Sequence, residues 1–422
     1  MRVLVVGLNY LPESTSIGPY TAGLTEYLQS VGHSVQVVTG FPMAPHWRVW
    51  KGYRDRWFQQ EIINNVRVLR TFLYVPRQPR KAIFRILFDC SFALSALIGG
   101  LFTGPCDAIV VVSPPLQLGV TGWLLSKIKR TPLLVHLQDL VPEAAIATGV
   151  LAESSVAARI GRLIQRFVYA RASAIGVICE GFARNLRAKG VPSDKIVLLP
   201  NYIDLDLMQP HARENAFRAR HGLRASDFVV MYSGSIALKQ GLEVFVDAAA
   251  ALRGDHDVVF MLIGDGPEDF VGELRARAQQ AGLDNIRWLP LQARDTLAEQ
   301  LAAADVLVIT QRRAVTDIVF PGKLLYYMAA GRPILAAVSS ESETGQFIVD
   351  QRVGVVVPPE EPQALADAIV NMKREGAAHL GENGRLVAER QFDRQQVLPR
   401  FVTELLDLVR NSPRATQKAR ST

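Results

Sequence analysis

Cysteine is nearly absent: Cys90, Cys106 and Cys179 are the three in 422 residues, odd in number and widely spaced. That argues against a disulfide framework and a thiolate metal cluster, and each cysteine reads as a small buried hydrophobe in a reducing compartment. The start, Met-Arg-Val-Leu-Val-Val-Gly, has too short an apolar run for a signal peptide and no small-residue cleavage site, so a cytoplasmic location is expected. The first glycine-containing loop lacks the G-x-G-x-x-G of dinucleotide binding, which argues against a dehydrogenase. No repeat recurs at a fixed short period. Charged residues are only 21% against 49% hydrophobic, the balance of a packed globular chain rather than a disordered or fibrous one.

What is present begins with length. A chain of 422 residues exceeds the size at which one hydrophobic core stops growing, so two domains are expected. Its 47 Lys and Arg against 40 Asp and Glu leave a formal +7, a surplus that favours anionic partners: phosphates, nucleic acid or an acidic membrane face.

Val3–Val6 is a short apolar run closed by Gly7, and a Gly, Pro and Ser-rich loop follows it. Tyr20, Leu24, Tyr27, Leu28 and Val31 then recur at helical spacing, Gly32 caps the helix, and Val35–Thr39 resumes as a strand. This is the strand–loop–helix–strand unit of a parallel sheet. Further strands are expected at Ala108–Val112, Leu133–His136, Ile175–Ile178 and Ile196–Leu199, with a helix over Val156–Ala172.

A second series has strands at Phe228–Ser233, Val258–Ile263, Ile286–Leu289, Val306–Thr310, Pro333–Ala336 and Val355–Val357. Helices at Gly241–Leu252, Pro267–Ala281, Asp295–Ala303, Lys323–Ala330 and Pro362–Lys373 alternate with them. The boundary is expected near Pro200–Leu207, and the tail from Asn411 onward, polar and basic, is expected to be disordered. Two doubly wound sheets present their strand-end crevices to ligands, so a cleft between them is the expected site.

Several segments carry possible chemistry. The loop Leu8–Tyr20 joins a strand to a helix, where main-chain amides favour an anion, and its length suits a flexible flap. Leu134–Glu143 is an apolar strand running straight into Gln138, Asp139 and Glu143, with His136 just before them. Asp139 alone would also serve as an N-cap and His136 alone as a core histidine; their clustering points to a crevice. Ser233–Gly241 again joins strand to helix, with Gly234 admitting a phosphate to the backbone and Lys239 offering a cation. Gly264-Asp265-Gly266-Pro267 is a turn before a helix, and Thr316–Lys323 brings Gly322, Lys323 and a helix start towards a diphosphate. Asp204-Leu205-Asp206 and Asp255-His256-Asp257 lie in polar linker sequence and read as turns rather than metal ligands.

The order of these motifs resembles the retaining family-four glycosyltransferases of the GT-B fold, in particular the branch of exopolysaccharide assembly of the colanic acid type. The resemblance runs from Ile17-Gly18-Pro19-Tyr20-Thr21 through Gln138-Asp139-Leu140-Val141-Pro142-Glu143 and Pro200-Asn201-Tyr202-Ile203-Asp204. It continues through Tyr232-Ser233-Gly234-Ser235 and Ile263-Gly264-Asp265-Gly266-Pro267 to Pro321-Gly322-Lys323-Leu324-Leu325 and Met328-Ala329-Ala330-Gly331-Arg332-Pro333.

It implies an α/β fold of two Rossmann-like, doubly wound domains facing across a cleft. Residues 1–200 plus 393–422 would form the acceptor-side domain, with a returning C-terminal helix near Val397–Val409, and 201–392 the nucleotide-sugar domain. Where relatives carry Arg, Ser235 stands here; where they carry a ribose-binding Glu, Tyr326 stands, and the first of their two glutamates falls near Asp317 or Ile318.

The function so implied is transfer of a sugar from a nucleotide-sugar to a lipid-linked or saccharide acceptor in bacterial polysaccharide synthesis, with retention and without a metal or other cofactor. Gly18, Gly234, Ser235, Lys239, Gly264, Asp265, Gly266, Asp317, Gly322, Lys323 and Tyr326 are the donor-binding candidates, with Lys239 and Lys323 on the diphosphate. Asp139 and His136 are the candidates that orient the sugar or the acceptor hydroxyl. A nucleotide-sugar 2-epimerase shares the fold but needs acid–base groups on both sides of one carbon, and no second carboxylate-rich strand end supplies them. A non-catalytic scaffold is the remaining alternative. The expected partners are the donor, a polyprenyl-diphosphate-linked acceptor and an anionic membrane surface, with no nucleic acid.

The membrane expectation rests on Arg77–Phe102. Arg77, Arg80, Lys81 and Arg85 are interleaved with Pro76, Pro79, Ile83 and Phe84, and the chain is then almost wholly apolar to Phe102. Asp89 and the pair Gly99-Gly100 shorten the uncharged run below the roughly 20 residues a bilayer crossing needs, so a helix in the headgroup plane, or one packed inside the first domain, is expected.

Overall fold

Short runs of Val, Ile and Leu alternate with amphipathic segments along the chain, and each run becomes a strand covered on both faces by the helices that follow it. The structure, a computed structural model, describes residues 1–13, 17–44, 47–78, 81–147, 149–314 and 321–412. The chain divides into two compact units, Met1–Pro200 with Leu398–Thr422, and Asn201–Val397.

The first unit contains β1 (Arg2–Gly7), α1 (Gly18–Ser30), β2 (Ser34–Gly40), β3 (Phe58–Ile63), β4 (Val66–Thr71), α2 (Ala82–Phe102) and β5 (Ala108–Ser113). It continues with α3 (Leu118–Lys129), β6 (Leu133–Leu137), α4 (Glu143–Ala147), α5 (Val156–Arg171), β7 (Ala174–Val177), α6 (Glu180–Ala188) and β8 (Ile196–Leu198). The sheet runs β3-β4-β2-β1-β5-β6-β7-β8. All its pairings are parallel except β3 with β4.

The second unit contains α7 (Ala216–Arg220), β9 (Phe228–Ser233), α8 (Glu243–Ala251), β10 (Val258–Ile263), α9 (Glu268–Gln280), β11 (Ile286–Leu289), α10 (Leu297–Ala302) and β12 (Val306–Thr310). Then come α11 (Lys323–Ala329), β13 (Ile334–Ala337), α12 (Glu343–Asp350), β14 (Gly354–Val357), α13 (Pro362–Glu375), α14 (Ala378–Val387) and α15 (Arg394–Arg410). Its sheet, β11-β10-β9-β12-β13-β14, is wholly parallel. Alternate residues feed opposite faces: Val229 and Met231 enter one core cluster, Val230 and Tyr232 the other. From Leu398 onward α15 belongs to the first unit, where Phe401 meets His136 edge-on at 5.3 Å.

Some elements escaped sequence reading. The β3–β4 hairpin turns on Asn64 and Asn65, both at positive φ (48° and 65°), a conformation asparagine tolerates. It buries Arg70, which pairs with Glu61 on β3 and donates to the Gly40 carbonyl at 3.0 Å. In α3, Gly119 and Gly122 weaken the helical signal. Their hydrogens are needed because a Cβ would come within 2.5 Å of Val168 or 2.4 Å of Val111, so the helix packs closely on α5 and β5.

Corrections also arise. Cys90 is exposed, so only Cys106 and Cys179 are the buried hydrophobes expected. The described part of the first loop is packed rather than a loose flap: Tyr10 and Glu13 are buried, and the Glu13 carboxylate accepts from Met43 N and Ala44 N at 2.7 Å each and from Asn9 Nδ2 at 2.9 Å. The glycine pair does not interrupt α2, whose 21 residues have the length and hydropathy (1.7) of a membrane span. What commits α2 to the first unit is its inner face. Phe88, Phe92 and Ala96 are buried, and Cβ atoms at Gly99 and Gly100 would meet Thr71 at 2.7 Å and Leu125 at 2.6 Å. The basic tail beyond Ser412 lies outside the described residues.

Candidate functional site

In a doubly wound sheet the crevice opens where successive connections turn in opposite directions. In the second unit β9 is followed by β10 and β11 on one side and by β12 on the other, so the switch point lies at the C-terminal ends of β9 and β12. The first unit has the equivalent point between β1 and β5, beside the Leu8–Glu13 loop.

Three chain segments converge at the second unit's switch point. After β9, Gly234 takes φ 141°, open to glycine and rarely to other residues, and its N–H donates to Ile263 O at 2.9 Å. The loop after β10 lies directly against it, with Ile236 N donating to Asp265 O at 2.9 Å. A Cβ on Gly264 would stand 1.9 Å from Gly234 O and one on Gly266 would stand 2.0 Å from Ile236 O, so only glycine permits this backbone contact. After β12, Arg312 N donates to Lys239 O at 3.0 Å and Arg312 Nε to Leu238 O at 2.7 Å, while its guanidinium pairs with Glu243 at 2.5 Å. That holds the turn Leu238–Gln240, and Lys239 with it, against the end of β12.

Lys323 enters from the start of α11. Tyr327, one turn further on, has its buried hydroxyl accept from Ser233 N at 2.9 Å and donate to Ser233 O at 3.0 Å, tying α11 to the tip of β9. The ammonium then lies 3.6 Å from the Tyr232 ring centroid, a cation–π contact, and Tyr232 Oη donates to Ser235 O at 2.7 Å, holding the loop that carries Ser235. Nζ is sealed from solvent without a hydrogen-bond partner among the described residues, although the residue as a whole is half-buried. Burial, and secondarily the positive field of Lys239, hold its pKa well below the ordinary lysine value. Lys239 is thus close enough for its charge to act on Lys323, whose Nζ has no hydrogen-bond partner among the described residues.

The structure therefore brings together Gly234, Ser235, Lys239, Gly264, Asp265, Gly266, Gly322 and Lys323. Tyr326 sits on the next turn of α11, half-buried and packed against the core. Asp317 lies outside the described residues. Gly18 belongs to the first unit, where a Cβ would stand 3.0 Å from Glu13 O, so the missing side chain lets α1 start close against the Glu13 backbone. Sequence reasoning missed Tyr232, Tyr327 and Arg312; an arginine pair directly after the β12 run was the available signal. The two Asp-x-Asp triplets are turns: Asp204 Oδ1 accepts from Asp206 N at 3.1 Å and Asp255 Oδ1 from Asp257 N at 3.3 Å, with Arg394 and Lys373 as their counter-ions.

In the first unit the polar run after β6 diverges in space. His136 is buried, its Nε2–H donating to Leu199 O at 3.0 Å and its Nδ1 facing Gln138 Nε2 at 3.5 Å. Burial pulls its pKa down to about 4, opposed only by the Leu199 carbonyl, so the ring is neutral near pH 7. Both nitrogens are occupied inside the core, an arrangement for positioning rather than for proton transfer. Glu143 turns elsewhere, accepting from Gln165 Nε2 at 2.9 Å and pairing with Lys189. Asp139 stands half-buried two residues beyond β6.

Two doubly wound units, each built on a mainly parallel sheet, are the architecture of the GT-B glycosyltransferases. Residues 15–202 match the family described as glycosyl transferase 4-like domain and residues 227–375 that of glycosyl transferases group 1. The chain belongs to these glycosyltransferases. It is 31% identical over 417 residues to the putative colanic acid biosynthesis glycosyl transferase WcaI of Escherichia coli K12, covering 96% of this chain and all of the relative. In fold it is similar to sucrose-phosphate synthase from Thermosynechococcus elongatus (TM-score 0.75, 21% identity, 97% of this chain and 99% of that one). It is also similar to Anabaena HepE in complex with UDP-glucose (TM-score 0.71, 18% identity, 96% and 100% of the two chains).

Proposed function

We propose that the chain moves a sugar from a nucleotide-sugar donor to a polyprenyl-diphosphate-linked saccharide in bacterial polysaccharide synthesis, with net retention and without a metal. The observation that carries this reading is the pair Lys239 and Lys323 on two loops at the β9–β12 switch point, the charge of one acting on the other, whose Nζ has no hydrogen-bond partner among the described residues. A nucleoside diphosphate leaving group gains negative charge as the glycosidic bond breaks, and fixed cations stabilise that charge more than they stabilise the bound donor. The relatives in polysaccharide biosynthesis and the UDP-glucose bound by HepE support the same choice of donor class.

In the first unit Asp139 is the group we assign to the reacting sugar or acceptor hydroxyl, with His136 positioning β6 beneath it. A cytoplasmic enzyme resting on the inner membrane face would meet a lipid-borne acceptor in two dimensions. α2 supports this through an exposed row, Ile83, Leu87, Leu94, Ile98 and Leu101, on the side away from the sheet.

The test incubates the purified chain with UDP-, GDP-, ADP- and dTDP-sugars, with and without a polyprenyl-diphosphate saccharide, and measures free nucleoside diphosphate and glycosylated lipid. Acceptor-dependent release is expected for one donor class, with a drop on the order of 10²–10³ in kcat/KM for Lys323→Ala. Wild-type kinetics in both Lys239→Ala and Lys323→Ala would sink the site. Donor consumption giving only a 2-epimer would replace transferase by epimerase, and no donor binding at all would leave a scaffold.

A further inference from the structure

On the first unit, a cavity of about 700 Å³ lies between α5 and the turn that follows α6. Arg162 and Arg166 line it from α5, Lys189 and Lys195 from the turn, and Glu143 is its one carboxylate among the described residues. Glu143 is already engaged by Lys189 and by Gln165. Lys195 Nζ donates only to Ala170 O at 3.2 Å, and Arg166 has no ion pair among the described residues. Arg162 pairs with Glu153, whose side chain is 78% exposed, a contact that water and salt readily replace. The cavity thus holds more positive charge than its own carboxylate neutralises, and it has room for a phosphate ester.

The sequence of α5 sets what stands beside the cavity. Ala158, Gln165, Val168 and Tyr169 form its buried face. Arg159, Arg162 and Arg166 follow at helical spacing as the next row, and Val156, Ile160 and Leu163 form the row beyond, all three large, apolar and exposed. An apolar row bordered by a basic one matches the depth profile of a phospholipid surface, acyl carbon below and phosphate above. α5 packs on α3 and α3 on α2, so its exposed row lies on the same face of the sheet as that of α2.

We propose that α5 rests on an anionic phospholipid surface and that the cavity beside it takes the phosphate of one headgroup. This extends the membrane reading to a second helix, and its test separates the two. The full chain is floated with vesicles of phosphatidylcholine, with and without phosphatidylglycerol. Arg162→Gln with Arg166→Gln should lower partition onto the anionic vesicles about thirtyfold, and Arg162→Lys with Arg166→Lys should largely restore it. Ile160→Ser with Leu163→Ser, at exposed positions the fold tolerates, should also release the chain. Arg184→Gln with Arg187→Gln on α6 removes the same charge outside the cavity and should cost severalfold less.

Equal losses from the α5 and α6 pairs would overturn the headgroup site, leaving bulk charge alone. Wild-type flotation of the α5 variants, with loss only in Leu94→Ser with Ile98→Ser, would overturn this inference and leave the α2 reading standing; the reverse pattern would do the opposite. Stabilisation of the chain by inorganic phosphate, abolished in the Arg162 and Arg166 variant and without any lipid effect, would make the cavity a free-phosphate site and overturn the proposal.

Discussion

Lys323 couples stability to binding. A buried ammonium with no hydrogen-bond partner among the described residues is costly to the folded chain, and its depressed pKa means that the unfolded chain binds the proton more tightly. The stability of the donor-free chain is therefore lowered as pH falls towards that depressed pKa and recovers as pH rises. Lys323→Met should raise the melting temperature of the free protein by a few degrees, roughly 1–2 kcal/mol, while abolishing donor binding. A melting temperature that fell would mean the ammonium is satisfied in solution.

Asp89 on α2 poses the opposite sign. Burial raises its carboxyl to about 6 despite Arg85 at 3.7 Å, and Oδ1 has no hydrogen-bond partner among the described residues. Its protonated form favours folding, so that contribution is present in acid and lost as pH rises through about 6. Asp89→Asn should stabilise the chain on the order of 2 kcal/mol at pH near 7.5 and not at pH near 4, as measured by denaturant unfolding at each pH.

At the level of elements, the donor loops rest on absent side chains. Gly264→Ala would drive a Cβ into Gly234 O and should cost about 3 kcal/mol or more, lowering the melting temperature by roughly 10 °C. Gly272→Ala, in the open interior of α9, meets nothing within 4 Å and should stabilise by about 0.5–1 kcal/mol. Similar values for the two would show that the β9 and β10 loops do not meet as described. The basic entry to α2 needs a finer test than wholesale replacement, because Arg85 pairs with Asp89 and stacks on Trp47 at 4.7 Å, and Arg80 lies outside the described residues. Substitutions on the exposed row, Leu94 and Ile98, separate docking from folding.

For the whole molecule, a donor held only by the folded state should stabilise it by about 2.7 kcal/mol at a hundred times Kd, so a thermal-shift panel of nucleotide-sugars identifies the donor class. Amide exchange should slow in the loops after β9 and β10 when that donor is present; unchanged exchange there would move the donor elsewhere.

Both series of parallel strands were legible in the sequence because a strand buried on both faces must be a short continuous apolar run, and β10, β11 and β12 match their expected spans residue for residue. Gly234, Lys239, Gly264 and Lys323 were legible as candidates because strand-to-helix loops have a recognisable composition. Their convergence was not, since it depends on Tyr327 reaching Ser233 across 94 residues and on two glycine loops in backbone contact.

The same distinction separates His136 from Asp139. Adjacent polar residues at a strand end look alike in sequence, but strand pleating and the return of Phe401 put the histidine in the core. Local composition determined which segments form strands, helices and polar loops, because that choice depends on neighbours a few residues away. Tertiary structure alone decided which polar groups are drawn into the core, which face of α2 and α5 stays uncovered, and that Lys323 Nζ meets no hydrogen-bond partner among the described residues, because each depends on contacts between segments far apart in the chain.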